Sequence, residues 1–144
     1  MTAVASTTVF LNSVVVIYFV EAHPAYGPLT VNLFQCIDGG SLRAVTSPIT
    51  LAECLVVPQR RGDTHMFAQF ISLITAGIGI QFIHIDEIVA VQSSVLRARY
   101  NLRLPDSVQL AAAMVAGCDL FLTNEVHLAR VSEIRAVVLD SPSM

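Results

Sequence analysis

The sequence predicts a single α/β domain, a three-layer α/β/α sandwich around a mostly parallel central sheet. Short β-prone runs alternate with segments of helical spacing along the chain, the order typical of a parallel sheet covered by helices. No repeat, low-complexity tract or interdomain linker interrupts the 144 residues. This length suits one domain with a sizeable core. We therefore interpret residues 1–144 as one domain.

The first half of the chain predicts two strands and the helices between and after them. Ser47-Pro48 predicts a helix start, with serine as N-cap and proline at the first helical position. That helix is expected to run to about Val57 and to stop before Pro58, which is followed by a polar loop at 60–63. The other predicted elements are a strand at Thr8–Leu11, a segment at Val14–Glu21 that fits either helix or strand, a helix at Leu29–Ile37, a strand at Leu42–Thr46 and a helix at Thr64–Thr75.

The second half of the chain predicts three further strands. Gly117 is a typical helix end, and the alanine-rich segment before it favours a helix that begins at Asp106. Residues Asn101–Pro105 are expected to form a linker. The other predicted elements are a strand at Ile80–Ile85, a long helix at Asp86–Tyr100, a strand at Asp119–Thr123, a short helix from Asn124 or Glu125 and a last strand at Ala136–Leu139.

The composition is 54% apolar and only 13% charged, so a membrane location has to be considered first. The longest apolar run, Val14–Val20, is far shorter than the roughly 18–20 residues of a spanning helix. No basic segment or small-residue cleavage site precedes it, as a signal peptide would require. We therefore expect a cytoplasmic domain, with part of its apolar surface covered in an oligomer.

The net charge of −3 does not indicate a nucleic-acid-binding protein by itself. All eight basic residues are arginines, however, and Arg97, Arg99 and Arg103 lie close together in the sequence. Guanidinium groups suit phosphate recognition, although codon bias explains an arginine-only composition equally well. The three cysteines are scattered and show no CxxC spacing, which argues against a zinc site or a disulfide framework.

Polar residues follow several predicted strands at the edge of the sheet where ligands of parallel α/β proteins bind. Asn12 and Ser13 follow the first strand, and Asp106 opens a helix. Thr123 and Glu125 follow the strand that contains Leu120–Leu122. Each also has a structural explanation, because these residue types commonly cap helices or complement the helix dipole.

Glu53 is harder to explain by capping, because it is the only charged residue in an apolar helix. A buried carboxylate without a partner costs several kcal/mol. Either its side chain reaches solvent, or a metal ion or an arginine from another element meets it. The histidines are dispersed in the sequence, and a cluster of oxygen ligands indicates Mg²⁺ or Mn²⁺ rather than zinc.

Four motifs in order make the chain similar to the PIN domain family, and to VapC-type ribonuclease toxins of type II toxin–antitoxin systems in particular. Members open with a strand followed by Asp-Ser or Asp-Thr, matched here by Phe10-Leu11-Asn12-Ser13. A glutamate follows a Ser-x-x-Thr entry, matched by Ser47–Thr50 and Glu53. Pro105-Asp106 before an alanine run and Thr123-Asn124-Glu125 match the remaining two motifs, and the resemblance covers nearly the whole chain.

The resemblance implies a pocket of four acids that binds one or two Mg²⁺ or Mn²⁺ ions and hydrolyses RNA. Glu53, Asp106 and Glu125 would be the carboxylate ligands, and Asn12 occupies the first acidic position. Ser13 and Thr123 would orient the ligands, and Asp119 is a reserve candidate. Arg97, Arg99 and Arg103 would line the path of the RNA. The resemblance also implies a homodimer and an antitoxin that blocks the pocket.

Two positions depart from the family pattern. Glu125 stands where Asp is usual, and it remains an anionic ligand. Asn12 stands where the family has Asp, so the site loses one negative charge and the activity is expected to be weakened. Natural attenuation and deliberate silencing of a toxic protein both fit this change.

Two alternatives to a ribonuclease remain open at this point. The first is a catalytically inactive PIN-like module that binds RNA or protein. The second is another phosphoryl-transfer α/β enzyme, which Asn12 disfavours because such enzymes need an aspartate as phosphate acceptor after the first strand.

Overall fold

Every neighbouring pair of strands in the sheet runs parallel, in the order β3-β2-β1-β4-β5. The computed structural model describes residues 6–139. The strands are β1 Thr7–Leu11, β2 Leu42–Thr46, β3 Ile80–Phe82, β4 Leu120–Thr123 and β5 Arg135–Val138. The helices are α1 Ser13–Val20, α2 Gly27–Asp38, α3 Pro48–Cys54, α4 Val56–Arg61, α5 Thr64–Ala76, α6 Glu87–Tyr100, α7 Leu104–Val115 and a 3₁₀ helix at Val126–Arg130.

The sheet is covered on both faces, as the apolar character of its strands requires. Alternate residues of β1 point to opposite sides, so Phe10 packs with α6 and α7 while Val9 and Leu11 pack with α1, α2 and α5. Phe10 stacks on Phe121 of β4, with ring centroids 5.3 Å apart and both side chains fully buried. The predicted three-layer α/β/α sandwich is confirmed.

The centre of the sheet is a topological switch point. From β1 the chain builds outward to β2 and β3 on one side, and it then returns to place β4 on the other side of β1. Leu11 and Leu122 are register partners in the last rungs of this central pair. Connections leave a switch point in opposite directions, so they open a crevice at the carboxyl ends of the two strands.

The structure corrects several predicted element boundaries. Pro58 does not stop a helix; it lies in the first turn of α4, where its missing N–H needs no intrahelical partner. Arg60 and Arg61 therefore form the last turn of α4 rather than a loop. β3 ends at Phe82 instead of Ile85, and α7 begins at Leu104 because Pro105 sits within its first turn.

Two further outcomes concern the segment after β1 and the possibility of a membrane-spanning helix. Segment 14–21, which fitted either helix or strand, is helical from Ser13, with the Asn12 side chain accepting a hydrogen bond from the Ser13 N–H. Among residues 6–139, no helix combines the length and the apolarity needed to cross a bilayer.

Candidate metal centre

The carboxyl ends of β1 and β4 bring Asn12 and Thr123 together at the switch point. The Asn12 side chain is buried and donates from Nδ2 to Thr123 Oγ1 at 3.3 Å. Its Oδ1 accepts from the Ser13 N–H at 2.9 Å, which caps α1. Thr123 Oγ1 also accepts from the Glu125 N–H at 3.1 Å, so one hydroxyl links the turn after β1 to the turn after β4.

Asp106 is the most enclosed acid of the site. It lies in the first turn of α7, and its side chain is only 7% exposed. Arg103, the N-cap residue of this helix, donates from Nε to Asp106 Oδ2 at 3.1 Å and from Nη2 to Oδ1 at 3.4 Å. Asp106 therefore does more than complement the helix dipole, because its charge is also paired by a guanidinium.

Glu125 joins this pair from the turn after β4. Arg103 Nη2 donates to Glu125 Oε1 at 3.3 Å, so one guanidinium contacts both carboxylates. Partial burial raises the pKa of Glu125, and the negative charge of Asp106 raises this pKa further. Arg103 acts in the opposite direction on Glu125, and the hydrogen bond to Asp106 in turn raises the pKa of Arg103.

His127 completes a three-residue cluster with these acids. Its Nε2 lies 3.3 Å from Glu125 Oε2 and 3.9 Å from Asp106 Oδ2. One potential ligand atom from each of Asp106, Glu125 and His127 lies within 4.8 Å of the other two. His127 was not among the residues singled out from the sequence, because the four histidines are dispersed along the chain. The available signal was the Glu-x-His spacing, since two residues of a tight turn can present both side chains to the same side.

Glu53 lies on the other side of the site, and its side chain reaches solvent, which is one of the two possibilities left open by the sequence. It is exposed at the end of α3, and the Ser13 hydroxyl donates to its Oε1 at 2.9 Å. The next residue, Cys54, is buried, and burial together with the Glu53 charge raises the pKa of its thiol. Cys54 is thus a protonated core residue rather than a ligand.

A buried hydrogen-bond network connects the three elements that carry Asn12, Glu53 and Asp106. Gln109 Nε2 donates to Thr50 Oγ1 at 2.7 Å, and Thr50 Oγ1 donates to the Leu11 carbonyl at 3.1 Å. The Ser47 hydroxyl donates to Gln109 Oε1. Gln109 is one turn from Asp106, Thr50 is one turn from Glu53, and Leu11 precedes Asn12. The network therefore fixes the relative positions of these side chains.

The remaining residues singled out from the sequence lie elsewhere or have partners within the fold. Asp119 is at the opposite edge of the sheet, where it accepts from the Thr8 N–H at 2.8 Å, so the structure does not bring it to the pocket.

Arg99 pairs with Glu133. Arg97 Nε donates to the Leu102 carbonyl at 3.0 Å and braces the turn between α6 and α7. Of the three arginines, the structure brings Arg103 into contact with the acids.

The donor set fits a divalent cation. Two carboxylates and one imidazole offer ligand atoms within 4.8 Å of one another, which is close enough for all three to reach one ion. Asn12 contributes no charge, and Arg103 offsets part of the charge of the two acids.

Comparison with known proteins agrees with this architecture. A statistical model of the PIN domain family matches residues 9–134, so the chain belongs to the PIN domain family. A search of curated proteins found no match.

Several solved structures share the fold at low sequence identity. VapBC2 from Rickettsia felis, bound to a promoter DNA fragment, has a TM-score of 0.74 and 13% identity over 94% of this chain and 99% of that chain. VapC20 from Mycobacterium tuberculosis, described as a sarcin–ricin loop cleaving toxin, has a TM-score of 0.69 and 14% identity over 88% and 98%. A toxin–antitoxin complex from Klebsiella pneumoniae has a TM-score of 0.66 and 20% identity over 92% and 97%.

Proposed function

We propose that this PIN domain is a metal-dependent endoribonuclease of the VapC type, the toxin of a type II toxin–antitoxin pair, attenuated by Asn12. The observation that carries this proposal is the convergence of Asp106 and Glu125 at the switch point between β1 and β4. Membership of the PIN family and the likeness to VapC structures support it.

Asp106 and Glu125 would hold the cation, with Glu53 facing it from α3 and the Asn12 side chain facing it from the turn between β1 and α1. A bound divalent ion supplies Lewis acidity toward a phosphodiester and lowers the pKa of a coordinated water. Ser13 holds the Glu53 carboxylate through its hydroxyl, and Thr123 holds the Asn12 amide and the backbone of Glu125. These hydroxyls orient the ligands rather than react.

With Asn12 in place of an aspartate, the pocket has one negative charge fewer and binds a cation more weakly. The Asn12 amide is also committed to local contacts, since Oδ1 accepts from Ser13 and Nδ2 donates to Thr123. An aspartate would retain the contact with the Ser13 N–H, and the Thr123 hydroxyl could turn its proton toward the other carboxylate oxygen. The scaffold is thus compatible with an acid at this position.

The arginines are proposed to contact the RNA to different extents. The Arg103 side chain is 69% exposed beside the two acids, so its guanidinium can turn toward a phosphate that enters the pocket. Arg97 and Arg99 lie on the last turn of the neighbouring helix α6 and would act through their charge at longer range.

The proposed partners are an antitoxin and a second copy of the chain, acting in the cytoplasm. Leu104 and Val126 are more than half exposed and directly follow Arg103 and Glu125 in the sequence. An antitoxin segment with apolar and basic side chains would complement this mixed apolar and acidic rim. A homodimer would cover other exposed apolar residues, and light scattering of the purified chain tests it.

The ribonuclease proposal is tested by restoring the acid. With Mn²⁺ or Mg²⁺, Asn12→Asp should cleave structured RNA at least about 10-fold faster than wild type, the effect expected of one added charge near a cation. EDTA and the double variant Asn12→Asp, Asp106→Asn should abolish the gain. Asn32→Asp makes the same chemical change on the exposed surface of α2 and should have no effect. A folded Asn12→Asp variant that cleaves no RNA with either metal would contradict the proposal.

A second candidate is an inactive PIN module that binds RNA or protein. The contacts of Arg103 favour it, because one guanidinium already neutralises part of both carboxylates. RNA binding without cleavage that persists in Asp106→Asn and Glu53→Gln variants would select this function over the ribonuclease.

A further inference from the structure

The side chain of His127 faces the metal centre and has no described structural role. It is half exposed on the 3₁₀ helix, and within residues 6–139 its imidazole has charged partners only in Glu125 and Asp106. Its backbone carbonyl accepts from Arg130 Nε at 3.2 Å, which fixes the helix around it. The imidazole is therefore available for another role, while the backbone that carries it is held in place.

The two carboxylates are approached from two directions. Arg103 contacts both oxygens of Asp106 and Oε1 of Glu125, whereas His127 approaches Oδ2 of Asp106 and Oε2 of Glu125. A histidine that only balanced charge would be redundant here, because the guanidinium already does so. An imidazole nitrogen that converges with one oxygen from each acid instead resembles one corner of a mixed nitrogen and oxygen ligand set.

We propose that His127 Nε2 is a direct metal ligand, which with Asp106 and Glu125 gives the site a preference for Mn²⁺ over Mg²⁺. Mg²⁺ strongly prefers oxygen ligands, whereas an imidazole is a favourable ligand for transition metals. Since Asn12 brings no charge, the cation depends on the acids that His127 adjoins. This inference rests on the proposed function in one respect, because it concerns the same pocket.

Electron spin echo spectroscopy of the Mn²⁺-loaded protein tests the bond directly. Wild type should show nitrogen modulation typical of imidazole coordination, and His127→Gln should lose it. His65→Gln, which removes an exposed histidine on α5 outside the cluster, should retain the modulation. Absence of nitrogen modulation in wild type with Mn²⁺ bound, or its persistence in His127→Gln, would overturn the proposal. So would a failure of wild type to bind Mn²⁺.

Calorimetric titration tests the metal preference. His127→Gln should weaken Mn²⁺ binding by roughly 10-fold or more, as expected for removal of a ligand, and should change Mg²⁺ binding much less. Equal losses for both metals would count against the preference. Nitrogen coordination in a protein whose Asn12→Asp variant cleaves no RNA would refute the ribonuclease and leave the ligand role of His127 intact. RNA cleavage by Asn12→Asp without nitrogen coordination would support the ribonuclease and refute the ligand role of His127.

Discussion

The two halves of the candidate metal centre differ in how they handle charge. In the half formed by α7 and the turn after β4, Asp106 and Glu125 converge with Arg103 and His127. In the half formed by β1 and α3, the buried position holds the neutral Asn12, and Glu53 is exposed with a hydroxyl as its partner. Cation binding should therefore depend mainly on the first half.

The largest expected effect compares one acid from each half. In the Asn12→Asp background, Asp106→Asn should lower metal-dependent RNA cleavage by about 100-fold or more, since losses of even indirect metal contacts cost roughly 10–100-fold. Glu53→Gln should cost less, because its carboxylate is exposed and more weakly held. Single-turnover cleavage rates at saturating Mn²⁺ check the order. Equal losses, or a larger loss for Glu53→Gln, would contradict the asymmetry between the halves.

A smaller effect concerns the stability of the half that lacks an acid. Asn12→Asp adds a fourth carboxylate to the site, at a buried position, which should lower the free energy of unfolding at pH 7 by about 1–3 kcal/mol in EDTA. Mn²⁺ should then stabilise this variant more than wild type, because added charge strengthens binding to the folded state. Urea denaturation with and without Mn²⁺ measures both changes. Asn32→Asp is the matched control, and a variant as stable as wild type in EDTA would speak against the burial argument.

The smallest effect is a pH dependence in the half that is rich in acids. The pKa of Glu125 is higher in the folded state than in the unfolded state. At pH values between these two pKa values, the folded protein therefore still holds a proton that the unfolded chain has released. Stability without metal should therefore fall as pH rises through that interval, and Glu125→Gln should flatten the decline.

The slope of this decline should stay well under the ~1.4 kcal/mol per pH unit of one full proton, since solvent screens the partly exposed group. Urea denaturation across a pH series measures it. A decline that is unchanged in Glu125→Gln would assign the titration to another residue.

Local sequence patterns predicted the fold, because alternating elements with caps and proline starts leave few arrangements for a single domain. Ser47, Asp86 and Gly117 marked element ends close to where the structure has them. Pro58 misled the prediction, because a proline both ends one helix and tolerates the first turn of the next. The sequence pattern did not indicate that one helix ends at Cys54 and the next begins at Val56, with a single residue between them.

The site was only partly predictable. The carboxyl ends of β1 and β4 could be expected to meet, and Asn12 and Thr123 followed from that rule. Asp106 was singled out because it opens a helix and matches a motif of the family. The contacts of Arg103 with both acids could not be predicted, since they depend on how the α7 N-terminus meets the turn after β4. The position of His127 beside the acids could not be predicted for the same reason. Asp119, the reserve candidate, lies just before the first residue of β4, at the end of the strand away from the pocket.

The buried hydrogen bonds of Gln109 allow only one assignment of donors and acceptors. A hydroxyl carries a single proton, and Thr50 gives its proton to the Leu11 carbonyl, so the amide must offer its NH₂ group to Thr50 and its oxygen to Ser47. A carboxylate at position 109 would present two acceptors, and Thr50 would have to turn its proton away from Leu11. The backbone would then lose a partner at the residue before Asn12. The position of the candidate metal centre thus depends on which of these buried groups donate a hydrogen bond and which accept one. Replacing the Gln109 NH₂ group by an oxygen atom would change that arrangement.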